Sequence, residues 1–180
     1  MRFLKTGFAR ASILVLLVSQ DNLSDIYLLN ELRLSGKPYG GTYGVSQIYV
    51  ATGYNPRHCL NALHHEFSSI LVRNYEFPEE EWRAINDPKW SYTGTGFEML
   101  GKKNTRMQTE EMLSQGFLVR YSQSSLENDV NVMAEWIAEK KEDLSELASR
   151  HDRIQRKHDL LMRFYRNVLS GKQPRRYGVA

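Results

Sequence analysis

The sequence contains a single cysteine, a small excess of charge and no long apolar run. Cys59 is the only cysteine among 180 residues, which excludes an internal disulfide and a cysteine-rich zinc ribbon. The 24 lysine and arginine residues barely exceed the 21 aspartate and glutamate residues, so the charge gives no reason to expect a nucleic-acid partner. The apolar run at residues 11–18 is too short to cross a membrane. We interpret it as a buried strand rather than as part of a secretion signal.

The overall composition is that of one ordinary globular domain. Hydrophobic residues make up 41% of the chain and charged residues 25%, and 180 residues are enough for a single core. Short apolar runs separated by turn residues come first, and long segments with helical periodicity follow. This order predicts an α+β fold, in which a small mixed sheet packs against a helix and a carboxyl-terminal helical bundle. We expect the domain to span residues 1–170 and residues 171–180 to form a flexible tail.

Local patterns place the secondary structure more closely. Residues 45–51 alternate weakly between apolar and polar side chains, which predicts a strand. Asn55 is a favourable cap for the helix that follows it, because apolar residues then recur every three or four positions. Further helices are predicted at residues 125–141 and 143–169, and residues 86–106 are predicted to form a long loop.

The predicted helix after Asn55 carries the sequence His64-His65-Glu66-Phe67-Ser68-Ser69. A zinc hydrolase helix needs two histidines four residues apart, on one face, and a glutamate beside the first as general base. His65 and Glu66 fit the first two places, but Ser69 stands where the second histidine is needed. His58 lies two turns earlier, about 10 Å along the axis, which is too far to share an ion with His65. By itself, a His-Glu pair is also typical of an exposed polar helix face.

More of the chain than this helix resembles a known family. The helix is similar to the His-His-Glu-Phe-x-His-Ile-Leu helix of a family of zinc-binding metallopeptidases found among Bacteroidetes surface and periplasmic proteins. That family is related in pattern to gluzincins such as the catalytic domain of anthrax lethal factor. Residues 116–125 resemble its Gly-Phe-Val-x-x-Tyr-x-x-Ser-Ser passage, and residues 127–135 resemble its acidic helix start. The resemblance covers roughly residues 10–170 and implies a zincin-like fold.

The resemblance implies a role for three residues. His65 corresponds to a metal ligand and Glu66 to the general base, which takes a proton from the attacking water. Tyr121 corresponds to a hydrogen-bond donor that stabilises the oxyanion of the tetrahedral intermediate. The resemblance therefore implies hydrolysis of peptide bonds as the ancestral activity.

The third metal ligand is not settled by the resemblance. The family has a glutamate about seven residues after the tyrosine, and that position falls on Asn128. Glu127 and Asp129 flank it, and either acid could serve after a small helical shift. The same acidic cluster is equally typical of a helix amino terminus, where it complements the helix dipole.

These observations predict a metallopeptidase-like protein whose zinc-dependent catalysis is impaired or lost, since a hydroxyl at Ser69 is a poor zinc ligand. Zinc is then expected to be lost or weakly bound. The alternative is a non-catalytic module that binds a peptide or glycan, and a third hypothesis is an intact metal enzyme with a different ligand set. The expected partner is a polypeptide or glycopeptide, and the chain is expected to be a monomer. The resemblance implies the cell envelope, and a cytoplasmic location stays open because the amino-terminal segment is interpreted as a strand.

Overall fold

A computed structural model describes residues 22–94, 97–99 and 102–175. The strand expected at residues 11–18 lies outside these ranges. The described chain combines short strands with helices that follow them, so the predicted α+β fold is confirmed. No helix within the described ranges is both long and apolar enough to cross a membrane.

The strands form one sheet of three strands and a separate hairpin. Their bounds are β1, Asp25–Leu29; β2, Leu32–Leu34; β3, Lys37–Tyr39; β4, Gly41–Tyr43; and β5, Gln47–Ala51. β5 is the central strand of the sheet, with β1 parallel on one side and β4 antiparallel on the other. β2 and β3 pair as the hairpin. Within the described strands, β4 is therefore an edge of the sheet, and β5 confirms the strand predicted at residues 45–51.

The longest helix, α1, spans Pro56–Asn74. Its start follows from the sequence, since the side chain of Asn55 accepts a hydrogen bond of 2.9 Å from the backbone N–H of His58. Ile70 and Leu71 belong to its buried face, which packs against the sheet and a later helix. This helix confirms the prediction made from the apolar spacing.

The remaining helices enclose the core. They are α2, Glu79–Ile85; α3, Glu110–Ser114; α4, Leu126–Glu139; α5, Lys141–Arg150; and α6, Asp152–Leu169, with short 3-10 turns at Phe97–Met99 and Arg120–Gln123. α4 packs along α1 and is buried on nearly every side. Its position between α1 and α6 makes it the centre of the domain.

The prediction of a single helix at residues 143–169 is wrong, because the helical conformation is interrupted at His151. This residue has extended backbone angles, and it separates α5 from α6. A continuous helix over residues 143–169 would be about 40 Å long, whereas the break leaves two helices of 10 and 18 residues. The break lets α5 fold against α6, so that Leu147 and Ile154 are both buried.

The segment after α6 is attached to the chain that follows α1. The backbone N–H of Glu76 donates to the carbonyl of Pro174 at 3.0 Å, and Tyr75 forms an isolated β-bridge with Arg175. The expected flexible tail at residues 171–180 is thus hydrogen-bonded to the domain as far as Arg175. Residues 176–180 lie outside the described ranges.

Candidate functional site

A cleft of about 380 Å³ lies between strand β4, helix α1 and helix α4. Four of the five site residues expected from the sequence line this cleft, namely His65, Glu66, Tyr121 and Glu127. The sheet edge supplies the opposite wall through residues 39–43. The structure therefore brings together an imidazole from α1 and a carboxylate from α4 that are far apart in sequence.

A row of polar side chains joins the two helices along the cleft. Glu127, Asn131 and Glu135 are four residues apart, so they lie on one face of α4. The hydroxyl of Ser69 donates to Oε1 of Glu127 at 2.7 Å and accepts from Nδ2 of Asn131, also at 2.7 Å. One turn away, Nδ1 of His65 lies 2.7 Å from Oε1 of Glu135. Side chains of α4 therefore contact both His65 and Ser69, the two positions where a zinc hydrolase helix carries histidines.

The ring of His65 is oriented by its contact with Glu135. Burial lowers the pKa of His65, but the hydrogen bond and the negative charge of Glu135 outweigh this effect and raise the pKa. Burial raises the pKa of Glu135, and the contacts with His65 and Arg106 lower it below its usual value. Arg106 donates to Oε2 of Glu135 at 2.7 Å. Because Nδ1 is engaged, Nε2 is the nitrogen that His65 can offer to the cleft.

Glu66 is a buried carboxyl group in the cleft, with 8% of its surface exposed. Burial raises its pKa to about 7, and although His65 lowers the pKa, the nearby negative charges add to the rise. The backbone of Gly41 passes close by, since a Cβ atom there would lie 3.1 Å from Cγ of Glu66. A carboxyl group with this pKa can accept and release a proton near neutral pH, which suits a general base.

The raised pKa of Glu66 predicts a pH-dependent effect of Glu66→Gln on stability. The folded state holds the proton at a pH where the unfolded state has lost it, so the contribution of Glu66 to stability falls as the pH rises from about 4.5 to about 7. We expect Glu66→Gln to raise the free energy of unfolding by about 2 kcal/mol more at pH 8 than at pH 5. Urea unfolding at both pH values measures this difference. The exposed control Glu142→Gln should show no such change. An equal effect of Glu66→Gln at both pH values would contradict the raised pKa of Glu66.

Two tyrosine hydroxyls complete the polar lining. The ring of Tyr121 lies 5.8 Å from the ring of His65, measured between centroids, and burial raises the pKa of Tyr121. Its hydroxyl therefore stays protonated and remains a donor. Tyr43, at the end of β4, donates to Oε1 of Glu127 at 2.8 Å. Tyr121 thus lies in the cleft beside His65, whereas the contact of Tyr43 with Glu127 was not predicted.

The structure places Asp129 outside the cleft. Asp129 follows Glu127 by two residues, so its side chain points about 160° away from that of Glu127 around the helix axis. It accepts hydrogen bonds at its Oδ2 from Lys157 at 2.6 Å, Trp82 at 2.9 Å and Tyr92 at 2.8 Å. Of the two acids that the sequence left open, Glu127 is the one that lies in the cleft with His65.

The side chains of the cleft do not fit a catalytic zinc ion. Such an ion takes three protein ligands. Within the described ranges, no group of three histidine, cysteine, aspartate or glutamate side chains is placed to hold a metal ion. Ser69 supplies only a hydroxyl, and that hydroxyl is already bonded to Glu127 and Asn131. His58 also lines the cleft, but its Nε2 is buried against Gly40, where a Cβ atom would approach it to 2.6 Å.

Sequence reasoning gave no role to Arg106 or Asn131. Asn131 and Glu135 could have been found from their spacing, because they continue the face of α4 that begins at Glu127. Arg106 lies in the long loop, where no periodic pattern indicates which side chain turns toward the cleft.

A helix that carries His-Glu opposite an acid from a later helix, beside the edge of a small sheet, has the layout of a metallopeptidase-like domain. Comparison with known families agrees with this class. Residues 41–169, which are 129 of the 180, match the family described as "Putative zinc-binding metallo-peptidase", and the chain belongs to that family. The match is shorter than the expected 10–170, and it includes β4 and both cleft helices. No curated protein and no solved structure matched the chain.

Proposed function

We propose that this domain binds a segment of polypeptide in the cleft and has lost zinc-dependent hydrolysis of peptide bonds. Family membership supports a metallopeptidase ancestry. The observation that carries the proposed loss is the 2.7 Å hydrogen bond from Ser69 to Glu127, because it joins two positions that a zinc site would use as ligands. At this point in the cleft the two side chains are therefore bonded to each other.

One oxygen of the Glu127 carboxylate is already engaged without a cation. Its Oε1 accepts hydrogen bonds from the hydroxyls of both Ser69 and Tyr43. An ion that bound Glu127 at Oε1 would have to compete with both of these donors. Hydrogen bonds to a charged group contribute about 1.5–3 kcal/mol each, so this competition opposes metal binding.

The edge of the sheet supports polypeptide binding. Among the described strands, β4 pairs only with β5, and its residues Gly41, Thr42 and Tyr43 line the cleft. An extended peptide can pair with such an edge through backbone hydrogen bonds, while its side chains enter neighbouring pockets. The rings of Tyr39 and Tyr121 also line the cleft and offer aromatic contact surface to such a peptide.

The proposal is tested with casein, an unfolded polypeptide, as the probe. We expect immobilised protein to retain casein with or without chelator, and we expect no cleavage when zinc is added. Tyr39→Ala should weaken retention about tenfold, since it removes an aromatic contact in the cleft. The control Tyr27→Ala removes an exposed ring from β1 and should have no effect.

Two results would contradict the proposal in different ways. Absence of casein retention would reject polypeptide binding. Cleavage of casein that disappears both with chelator and in Glu66→Gln would show that zinc-dependent hydrolysis has been retained.

A further inference from the structure

A second chamber, also of about 380 Å³, adjoins the cleft. The two cavities share the side chains of His58, Arg106 and Glu135, which form the partition between them. The far walls come from the first turn of α1 and the carboxyl-terminal end of α4, where Arg57 and Lys140 lie. A ligand in the cleft could therefore extend past Arg106 into this chamber.

The chamber has an excess of positive charge. Three cationic side chains line it, namely Arg57, Arg106 and Lys140, against the single carboxylate of Glu135. Arg106 donates to that carboxylate on one side, and His65 contacts it on the other. The negative charge in the partition is therefore already compensated, and the outer cations are not needed to balance it.

The two outer cations are available to a ligand. Within the described ranges, neither Arg57 nor Lys140 forms an ion pair with an acid, and Arg57 is exposed. The ammonium group of Lys140 lies 4.2 Å from the centre of the Trp136 ring, which holds it at the chamber wall. Burial lowers the pKa of His58, so the imidazole in the partition is neutral and adds no charge of its own.

This arrangement suits a carboxylate group. A guanidinium offers a planar pair of donors that matches the two oxygens of a carboxylate, and an ammonium group can bind the same anion from another side. Asn61 adds an uncharged amide to the lining. An apolar group would gain little here, because it would have to displace water from two unpaired cations.

We propose that the chamber binds a carboxylate of the polypeptide that occupies the cleft. The carboxylate is either the carboxyl terminus of the bound chain or an acidic side chain. This inference rests on the proposed function, since it assigns one end of the same ligand to the chamber formed by Arg57, Arg106 and Lys140.

The test uses three pools of ten-residue peptides with random uncharged residues and acetylated amino termini. One pool has amidated carboxyl termini, the second has free carboxyl termini, and the third is amidated but has one glutamate at varied positions. Retention on immobilised protein is measured by mass spectrometry. We expect one of the carboxylate pools to be retained about tenfold better than the neutral pool, as a charged hydrogen bond would provide. The pool that is favoured identifies the source of the carboxylate.

The double variant Arg57→Gln/Lys140→Gln assigns the preference to the chamber. It should reduce the preference to within about twofold while leaving retention of the neutral pool unchanged, and Lys172→Gln is the exposed control. Equal retention of all three pools, or a preference that survives the double variant, overturns this inference and leaves polypeptide binding intact. Retention of no pool contradicts the proposed function itself and removes both.

Discussion

Ser69→His is expected to raise the affinity of the cleft for zinc at least about 100-fold. The substitution places a second imidazole one turn from His65 and removes the hydroxyl that donates to Glu127. Loss of a residue that merely supports a metal ligand lowers affinity about 10–100-fold, so restoring a ligand itself should have at least that effect. Ser69 lines the cleft, which gives the larger ring space to extend into. Isothermal titration of zinc into both chains measures the change.

The controls for Ser69→His separate a rebuilt site from adventitious zinc. His65→Ala and Glu127→Gln, each combined with Ser69→His, remove one of the other two ligands and should abolish most of the gain. An unchanged affinity in Ser69→His would contradict the proposal that His65 and Glu127 belong to one former ion site. So would a gain that persists in both double variants.

Lys157→Met is expected to lower the free energy of unfolding by about 3–5 kcal/mol, because it leaves a buried carboxylate without its cation. Nζ of Lys157 lies 2.6 Å from Oδ2 of Asp129, and both side chains are almost fully buried. The same ammonium group donates to the carbonyl of Gly116 at 2.8 Å. The contact joins α6 to α4, and so it supports the helix that carries Glu127 into the cleft.

Urea unfolding measures the effect of Lys157→Met. Lys172→Met, at an exposed lysine, should change the free energy of unfolding by less than about 0.5 kcal/mol. Lys157→Met combined with Asp129→Asn should recover part of the loss, since no buried charge then remains. A loss in Lys157→Met as small as that in the exposed control would contradict the assignment of a buried, charged pair.

Local patterns in the sequence predicted α1 and α4 because the start of each has a physical cause that acts over a few residues. Asn55 caps α1, and Ser125 caps α4 by accepting a hydrogen bond from the backbone N–H of Asn128. The break at His151 has no such local signal. It lets α5 fold back against α6, and this packing depends on residues far from the break.

The candidate site was only partly predictable for a related reason. His65 and Glu66 stand out by their order and spacing, and Tyr121 was implied by the resemblance to a family. The choice between Glu127 and Asp129 depends on which face of α4 meets α1. An amphipathic helix would reveal that face, but α4 is buried almost all round, so its apolar residues do not distinguish one side from another.

The wild-type arm of the zinc titration tests the central claim most directly. The hydrogen bonds that hold Ser69 and Glu127 together leave His65 with no complete ligand set, so we predict a dissociation constant weaker than about 10 µM for chelator-treated protein. A one-to-one zinc complex tighter than about 0.1 µM, which His65→Ala removes, would contradict the account.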